Sequence, residues 1–418
     1  MSNQTLQPQP QKRLEFFCRV WAGFGLLLMA ASWKLWTPQT QFPQIPFFEF
    51  LIDVPGLVDW IALAGVVISL GVCVFTKSSR IPIAQLAFVV SISILILLNQ
   101  HRLQPWAYQF VVFAIILATM RARSAFFWLR IIVISIYVYS AISKFDYQFV
   151  HTTGRLILQA LAALVGQDAS SWSESLQNWL TLGFPIGELL LGVALIFSKT
   201  RKLGMVGAVL THALLLVALI WLGHSWGVLA WNLYFIAQSI LLFGFELEPP
   251  RFNEKDATAK ENENVRNPIA KRKPLEFFGL CMAVFVLLFP LTRPLGICDH
   301  WMAWEVYAPR CSRAKLLCNA SRAPYSNLLN WSEAVTGVPV YPQARFQLAI
   351  CIATKQRYTK TRNFSVEVSE PSNFWTGERE SVTLTRNDQI LMFADRYWLN
   401  MKPRSIWFPQ ATTGEASK

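Results

Sequence analysis

The sequence predicts an all-α polytopic membrane protein of eight or nine transmembrane helices, with a small, mostly β C-terminal domain. Three observations carry that prediction. Apolar residues make up 53% of the 418 and charged residues 15%, against about 25% charged in a typical soluble domain. Mean hydropathy is +0.34, too high for a water-facing shell to enclose all the apolar side chains. The apolar residues also fall in runs of the length a bilayer demands, about 20 residues each. The net charge of +13 is not a nucleic-acid signal, because no long basic run or basic-aromatic module accompanies it. In a membrane chain such an excess marks topology.

The runs lie near 14–36, 57–76, 82–99, 104–120, 125–144, 180–198, 203–222 and 226–245, with a ninth and weaker one at 275–291. The first follows Lys12 and Arg13 and has the outline of a secretory signal. It is read as a retained span because its pattern recurs later in the chain. With the N-terminus cytoplasmic, sixteen Lys and Arg fall on the inner side. Only Lys34, Arg102, Lys144 and Arg155 fall at outer loops and helix ends before residue 246. That imbalance orients the chain N-terminus inside. The expected organisation is a cytoplasmic tail (1–13), a four-helix membrane unit (14–123), a second such unit (124–245), a charged cytoplasmic linker (246–273), a ninth helix (274–291) and an extracytoplasmic β-rich domain (292–418). The localisation implied is a plasma or inner membrane crossed many times.

The two four-helix units read as a parallel internal duplication. Ala30-Ala31-Ser32-Trp33-Lys34-Leu35 corresponds to Ser140-Ala141-Ile142-Ser143-Lys144-Phe145, and Phe75-Thr76-Lys77 to Phe197-Ser198-Lys199. The turns holding His101 and His224 correspond in the same way. The offsets are 110, 122 and 123 residues, and a longer outer loop in the second copy explains the drift.

In the C-terminal segment, the alternation of Arg345–Ala353 and of Phe364–Val368 reads as strands. Four cysteines fall there, Cys298, Cys311, Cys318 and Cys351. In an oxidising compartment they suggest two disulfides. Their spacings of 13, 7 and 33 residues match no common zinc pattern, so no metal site is expected. Asn-x-Ser triplets at Asn319, Asn330 and Asn363 matter only in a glycosylating cell.

Polar groups at or within a membrane are costly and mark function by default. Lys34, Lys144, His101, His224, Asp146, His151 and Asp59 are expected at the outer helix ends. Glu188 is expected mid-helix, and His212 within the seventh span. A lysine stripped of water is a usable base; against this, lysines at helix ends commonly snorkel to headgroups. Lys144 has the richer context, in the run Tyr139-Ser-Ala-Ile-Ser-Lys144-Phe-Asp146-Tyr-Gln-Phe149-Val-His151-Thr-Thr-Gly154. Its duplicate Lys34 lacks an acidic partner.

That run resembles the Ser-Lys-Leu-Asp signature of DoxX/MauE-like membrane proteins, a redox-associated family of four-helix proteins. It also resembles the Lys-Leu-Asp-x-x-Trp-Val motif of vitamin K-dependent carboxylase-like and horizontally transferred transmembrane domain proteins. Asn99-Gln100-His101 is similar to that group's polar turn. Gly187-Glu188-Leu-Leu-Leu-Gly192 and Trp231-Asn232-Leu233 are similar to the DoxX/MauE pattern. The resemblance covers about residues 14–245. It implies a redox- or quinone-linked process, a quinone or other lipid-soluble ligand, and a redox protein partner beside the lipid bilayer. In the carboxylase reading it implies Lys144 as the base that deprotonates a reduced quinone, with Asp146, His151, His101 and His224 nearby. The chain departs from the carboxylase motif at Ser143, Phe149 and His151, and its C-terminal segment is far smaller. A transporter or structural partner using the repeat interface is the third reading. The chain has no phosphate loop, no nucleophile elbow, no His-Glu-x-x-His and no Cys-x-x-Cys.

Overall fold

A computed structural model describes residues 10–76, 80–245, 273–318, 327–358 and 364–408. The N-terminal tail before residue 10, the linker 246–272 and the triplets at Asn319 and Asn363 lie outside the described residues. The helices fall where hydropathy places them: α1 (Pro10–Ala31), α2 (Gly56–Phe75), α3 (Ile81–Leu98), α4 (Pro105–Thr119) and α5 (Ala122–Ile142). After a connection containing α6 (Thr153–Leu164) come α7 (Glu174–Ile196), α8 (Arg201–Trp221), α9 (Trp226–Phe243) and α10 (Lys273–Leu288). Eight of these are long and apolar enough to cross a membrane, α10 together with the 3-10 turns that carry it on to Leu295. The exceptions are α6 and α4. At 15 residues α4 spans only about 22 Å of the roughly 30 Å core. It is buried on nearly all faces, so protein rather than lipid surrounds it.

Helices α1 to α4 pack in sequential order, each on the next, and α5, α7, α8 and α9 repeat that order. The two runs meet through α1 on α9, and α10 lies along α4. The extra residues between α5 and α7 supply the amphipathic α6.

Residues 297–408 form a cap over one end of the bundle. A three-stranded antiparallel sheet, β1 (Arg313–Cys318), β2 (Phe364–Ser369) and β3 (Ser381–Leu384), is arranged in the order β1-β2-β3. Arg313 pairs with Ser369, and Val366 with Leu384. Three helices accompany it: α11 (Leu328–Thr336), α12 (Ala344–Tyr358) and α13 (Asn387–Ala394). The expected strand at Phe364–Val368 is the centre of the sheet. The one expected at Arg345–Ala353 is instead α12, packed on β1 and β2. Phe346 through Ala353 are all buried, and a helix enclosed on every side loses the polar face that gives it a readable period. The expected disulfide framework is also corrected. Cys298, Cys311 and Cys351 are free thiols, which leaves no two pairs among the four, and the Cys318 side chain lies outside the described residues. Cys351 points into the α12 core, where packing rather than a crosslink holds the cap.

The cap is joined to the bundle by a buried cluster. Asp59, in the first turn of α2, lies 2.5 Å from Arg102 Nη1 and 2.8 Å from Arg404 Nη1, and all three side chains are fully buried. Arg102 donates further to the carbonyls of Leu35, Leu95, Trp36 and Thr37. Arg404 donates to Gln44 Oε1 and the Val54 carbonyl. Gln100 Nε2 donates to the Asn400 carbonyl at 3.0 Å, and the Tyr147 amide to the Phe374 carbonyl at 2.9 Å. The cap therefore grips the same end of both four-helix runs.

Candidate functional site

Within the second run, α5, α7, α8 and α9 enclose a cavity of about 370 Å³, inside the size range of small-molecule sites. Its walls are mostly aliphatic and aromatic. Its polar groups come from four helices and the cap. Tyr137, Ser140 and Lys144 follow one another at helical spacing on and just past α5. Lys144 Nζ donates to Ser140 Oγ and to Glu188 Oε2, each at 2.6 Å. Lys144 is buried, while the Glu188 side chain keeps 18% of its surface. The pair is neutral as a unit, the form in which charge survives in a low-dielectric interior.

A second chain of hydrogen bonds crosses the cavity. Asn232 Nδ2 donates to the Val228 carbonyl one turn back at 2.9 Å, which turns Oδ1 toward His212. His212 Nδ1 lies 3.0 Å from that oxygen and Nε2 lies 2.9 Å from the Tyr137 hydroxyl. The network thus assigns the proton to Nδ1, with Tyr137 donating to Nε2. The ring stacks on Phe235 at 4.6 Å. Asn232 Nδ2 also reaches the Tyr307 hydroxyl at 3.4 Å. That hydroxyl accepts, so its own proton is free for a ligand. Tyr307 belongs to the cap loop and has φ 61°, as Trp304 has φ 62°. Bulky residues rarely adopt this left-handed backbone, at a cost of about 1–3 kcal/mol, so the loop is held in shape by what it packs against. Tyr307, Val306 and Trp231 form a wall shared with a larger cavity of about 790 Å³ between cap and bundle.

Of the residues singled out from sequence, Lys144, Glu188 and His212 converge here. The others lie elsewhere. Asp146 caps the short helix Tyr147–His151 by accepting from the Phe149 amide at 3.0 Å, and burial raises its pKa. His151 stacks on Tyr147 at 3.8 Å, with Nδ1 2.8 Å from that residue's carbonyl. His101 sits in the first run, between Phe42 and Phe346, with Nε2 2.9 Å from the Pro339 carbonyl. Burial pushes its pKa down to about 4. His224 lines the larger cavity, edge-on to Tyr307 at 6.3 Å, and burial lowers its pKa too. Lys34 is exposed on the turn Trp33–Trp36. Among the described residues no three His, Cys, Asp or Glu side chains cluster to hold a metal.

Tyr137, Ser140 and Tyr307 were not anticipated as site residues. The first two could have been found from their spacing to Lys144, which puts all three on one helix face. Tyr307 has no such signal, because it arrives from the cap.

Residues 114–230 match the family model of the methylamine utilisation protein MauE. The matched stretch runs from α4 into α9 and contains Lys144, Glu188 and His212. No curated protein and no solved structure matches the chain. The chain is an integral membrane protein with a MauE-like segment, and that segment supplies most of the cavity wall, with Trp231, Asn232, Phe235, Val306 and Tyr307 lying beyond it.

Proposed function

We propose that the cavity binds the polar ring of a lipid-soluble, quinone-like molecule and serves a redox- or quinone-linked process. The observation that carries this reading is the Lys144–Glu188 pair on the wall of an otherwise apolar cavity inside the bundle. Lys144 and Tyr307 supply donors for ligand oxygens, and Glu188 supplies an acceptor. When a ring oxygen gains negative charge, the Lys144 ammonium can give it a proton; the Glu188 carboxylate then carries the negative charge until a proton is taken up from water. Ser140 and Glu188 hold Lys144, and Asn232, itself fixed by His212, holds Tyr307.

The carboxylase-like reading makes Lys144 itself the base. In the pair Lys144 is the donor, so that reading needs Glu188 to take the lysine proton first. Lys144→Arg separates the two, because arginine keeps the charge and the donors but stays protonated. The neighbour order shared by the two runs supports the duplication. Gln109 lies 123 residues before Asn232, the offset of the corresponding turns. There Gln109 bonds Gln238 and Trp231 rather than a histidine, so the corresponding position of the first run is packed against the second. The Lys and Arg asymmetry supports a cytoplasmic N-terminus and an outer cap. Labels on cysteines introduced at Ser78 and Gly414 are expected to report opposite sides.

The test of function is titration of purified protein with ubiquinone-1 and with menadione, read by quenching of fluorescence that includes Trp231 in the cavity wall. Wild type and Lys34→Met are expected to bind alike, and Lys144→Met and Glu188→Gln to bind at least tenfold more weakly. Equal binding by Lys144→Met, or no binding by wild type, overturns the reading.

A further inference from the structure

Helices α7 and α8 are closed against each other at one end and open at the other. At the closed end Gly204 and Gly207 of α8 meet α7 so tightly that an added Cβ would lie 3.1 Å from Ala194 and 2.4 Å from Leu191. Toward the cap the lining is different. Gly183 and Gly187 of α7, one turn apart and both on the cavity wall, would each bring a Cβ into open space with nothing within 4 Å. Pro185 lies between them, inside the helix. It removes one backbone hydrogen bond and its ring presses on the preceding turn, both of which bend a helix. The facing lip is Thr211, Leu214 and Leu215 of α8, with Leu214 56% exposed. The amphipathic α6 lies across the slot. Ile157 and Leu161 turn to the cavity, while Leu156 and Leu164 turn outward. Arg155 Nη2 pins α6 to α7 through Asn178 at 2.9 Å. On the opposite wall Trp231, Val306 and Tyr307 separate the cavity from the space under the cap.

We infer that the cavity is loaded sideways from the bilayer, through the slot between α7 and α8 beneath α6, and that its ligand is a small polar head on a hydrocarbon chain that stays in the lipid. The inference rests on the reading that the cavity binds a lipid-soluble molecule, and it adds the route and the chain. The slot explains why Glu188, midway along an apolar helix, keeps some exposure: its neighbours Gly183 and Gly187 put no side chain over the opening. An amphipathic helix lying at the membrane surface suits the lintel of such an opening. A ligand without a hydrocarbon chain would gain nothing from a lipid-facing entrance, and Tyr307 closes the route by which it would arrive from water.

The experiment reads access directly, without any ligand. A nitroxide is attached at Ile157→Cys in full-length protein carrying Cys281→Ser, reconstituted in lipid nanodiscs. Collisions with molecular oxygen, which partitions into lipid, are compared with collisions with a water-soluble nickel chelate. Oxygen is expected to dominate severalfold, and Gly187→Leu or Gly183→Leu to reduce its collision rate severalfold. Both substitutions place atoms where the structure has space, and oxygen accessibility at a distant exposed position of the first run, Ile68→Cys, checks that each variant is folded. Dominance of the nickel chelate, or an oxygen rate unchanged by both leucines, overturns the lateral route. Failure of quinone binding with the oxygen result intact removes the functional reading and leaves the slot.

Discussion

Asp59 is the residue on which the attachment of the cap to the bundle turns. It is the single carboxylate between two fully buried arginines, so Asp59→Asn leaves two guanidinium groups without a counter-charge. Burial already lowers the pKa of Arg102, Arg404 adds to that, and Asp59 offsets both. Breaking a buried pair by removing one partner costs about 3–5 kcal/mol, which is two to nearly four powers of ten in the opening equilibrium. Arg404→Met is a different perturbation. It leaves the Arg102–Asp59 pair neutral, and removes the Arg404 donors to Asp59, Gln44 and the Val54 carbonyl without stranding a buried charge, at about 1–3 kcal/mol. Asp59→Asn should therefore be the more damaging change, although Arg404 makes the only charged cap contact in the cluster. The assay is the half-life of folded protein in mild detergent at one temperature, together with the rate at which protease releases the cap. If Arg404→Met loses the cap as fast as Asp59→Asn, charge balance is not what holds the joint.

The pocket pair should show the same logic in a double-mutant cycle. Lys144→Met alone should cost about 3 kcal/mol and the double Lys144→Met/Glu188→Leu distinctly less, measured by unfolding in detergent; additive losses would contradict a paired charge. His101 should make stability pH-dependent. Its folded pKa of about 4 lies below the ordinary 6.5, so the unfolded chain binds the proton first on acidification. Its contribution is complete above pH 6.5 and is lost as pH falls toward 4, about 3 kcal/mol in all. His101→Gln should flatten that interval in a stability titration, and an unchanged slope would refute the assignment. For the cap thiols, protein denatured without reductant should take up alkylating reagent at Cys298, Cys311 and Cys351 by mass spectrometry. Protection of any two would restore a disulfide.

The membrane helices were legible in the sequence because the bilayer imposes one rule on every span: about 20 apolar residues with internal backbone bonding. The same rule made Lys144, Glu188 and His212 conspicuous, since charge and imidazole are expensive against an apolar background. Local pattern also placed β2, whose alternate residues face core and solvent. It misplaced α12, where complete burial erased the helical period, and it read Cys298, Cys311 and Cys351 as crosslinks when packing encloses them as thiols. Which polar residues meet was a tertiary matter. Lys144 and Glu188 are 44 positions apart, and Asp146, only two residues from Lys144, turns away to cap a helix. Arg102 and Arg404, separated by most of the chain, share one carboxylate. Tyr307 enters the cavity from the cap. Residue types and hydropathy set the medium and the elements; only packing between distant elements, where charges must be balanced at contact distance, decided the site.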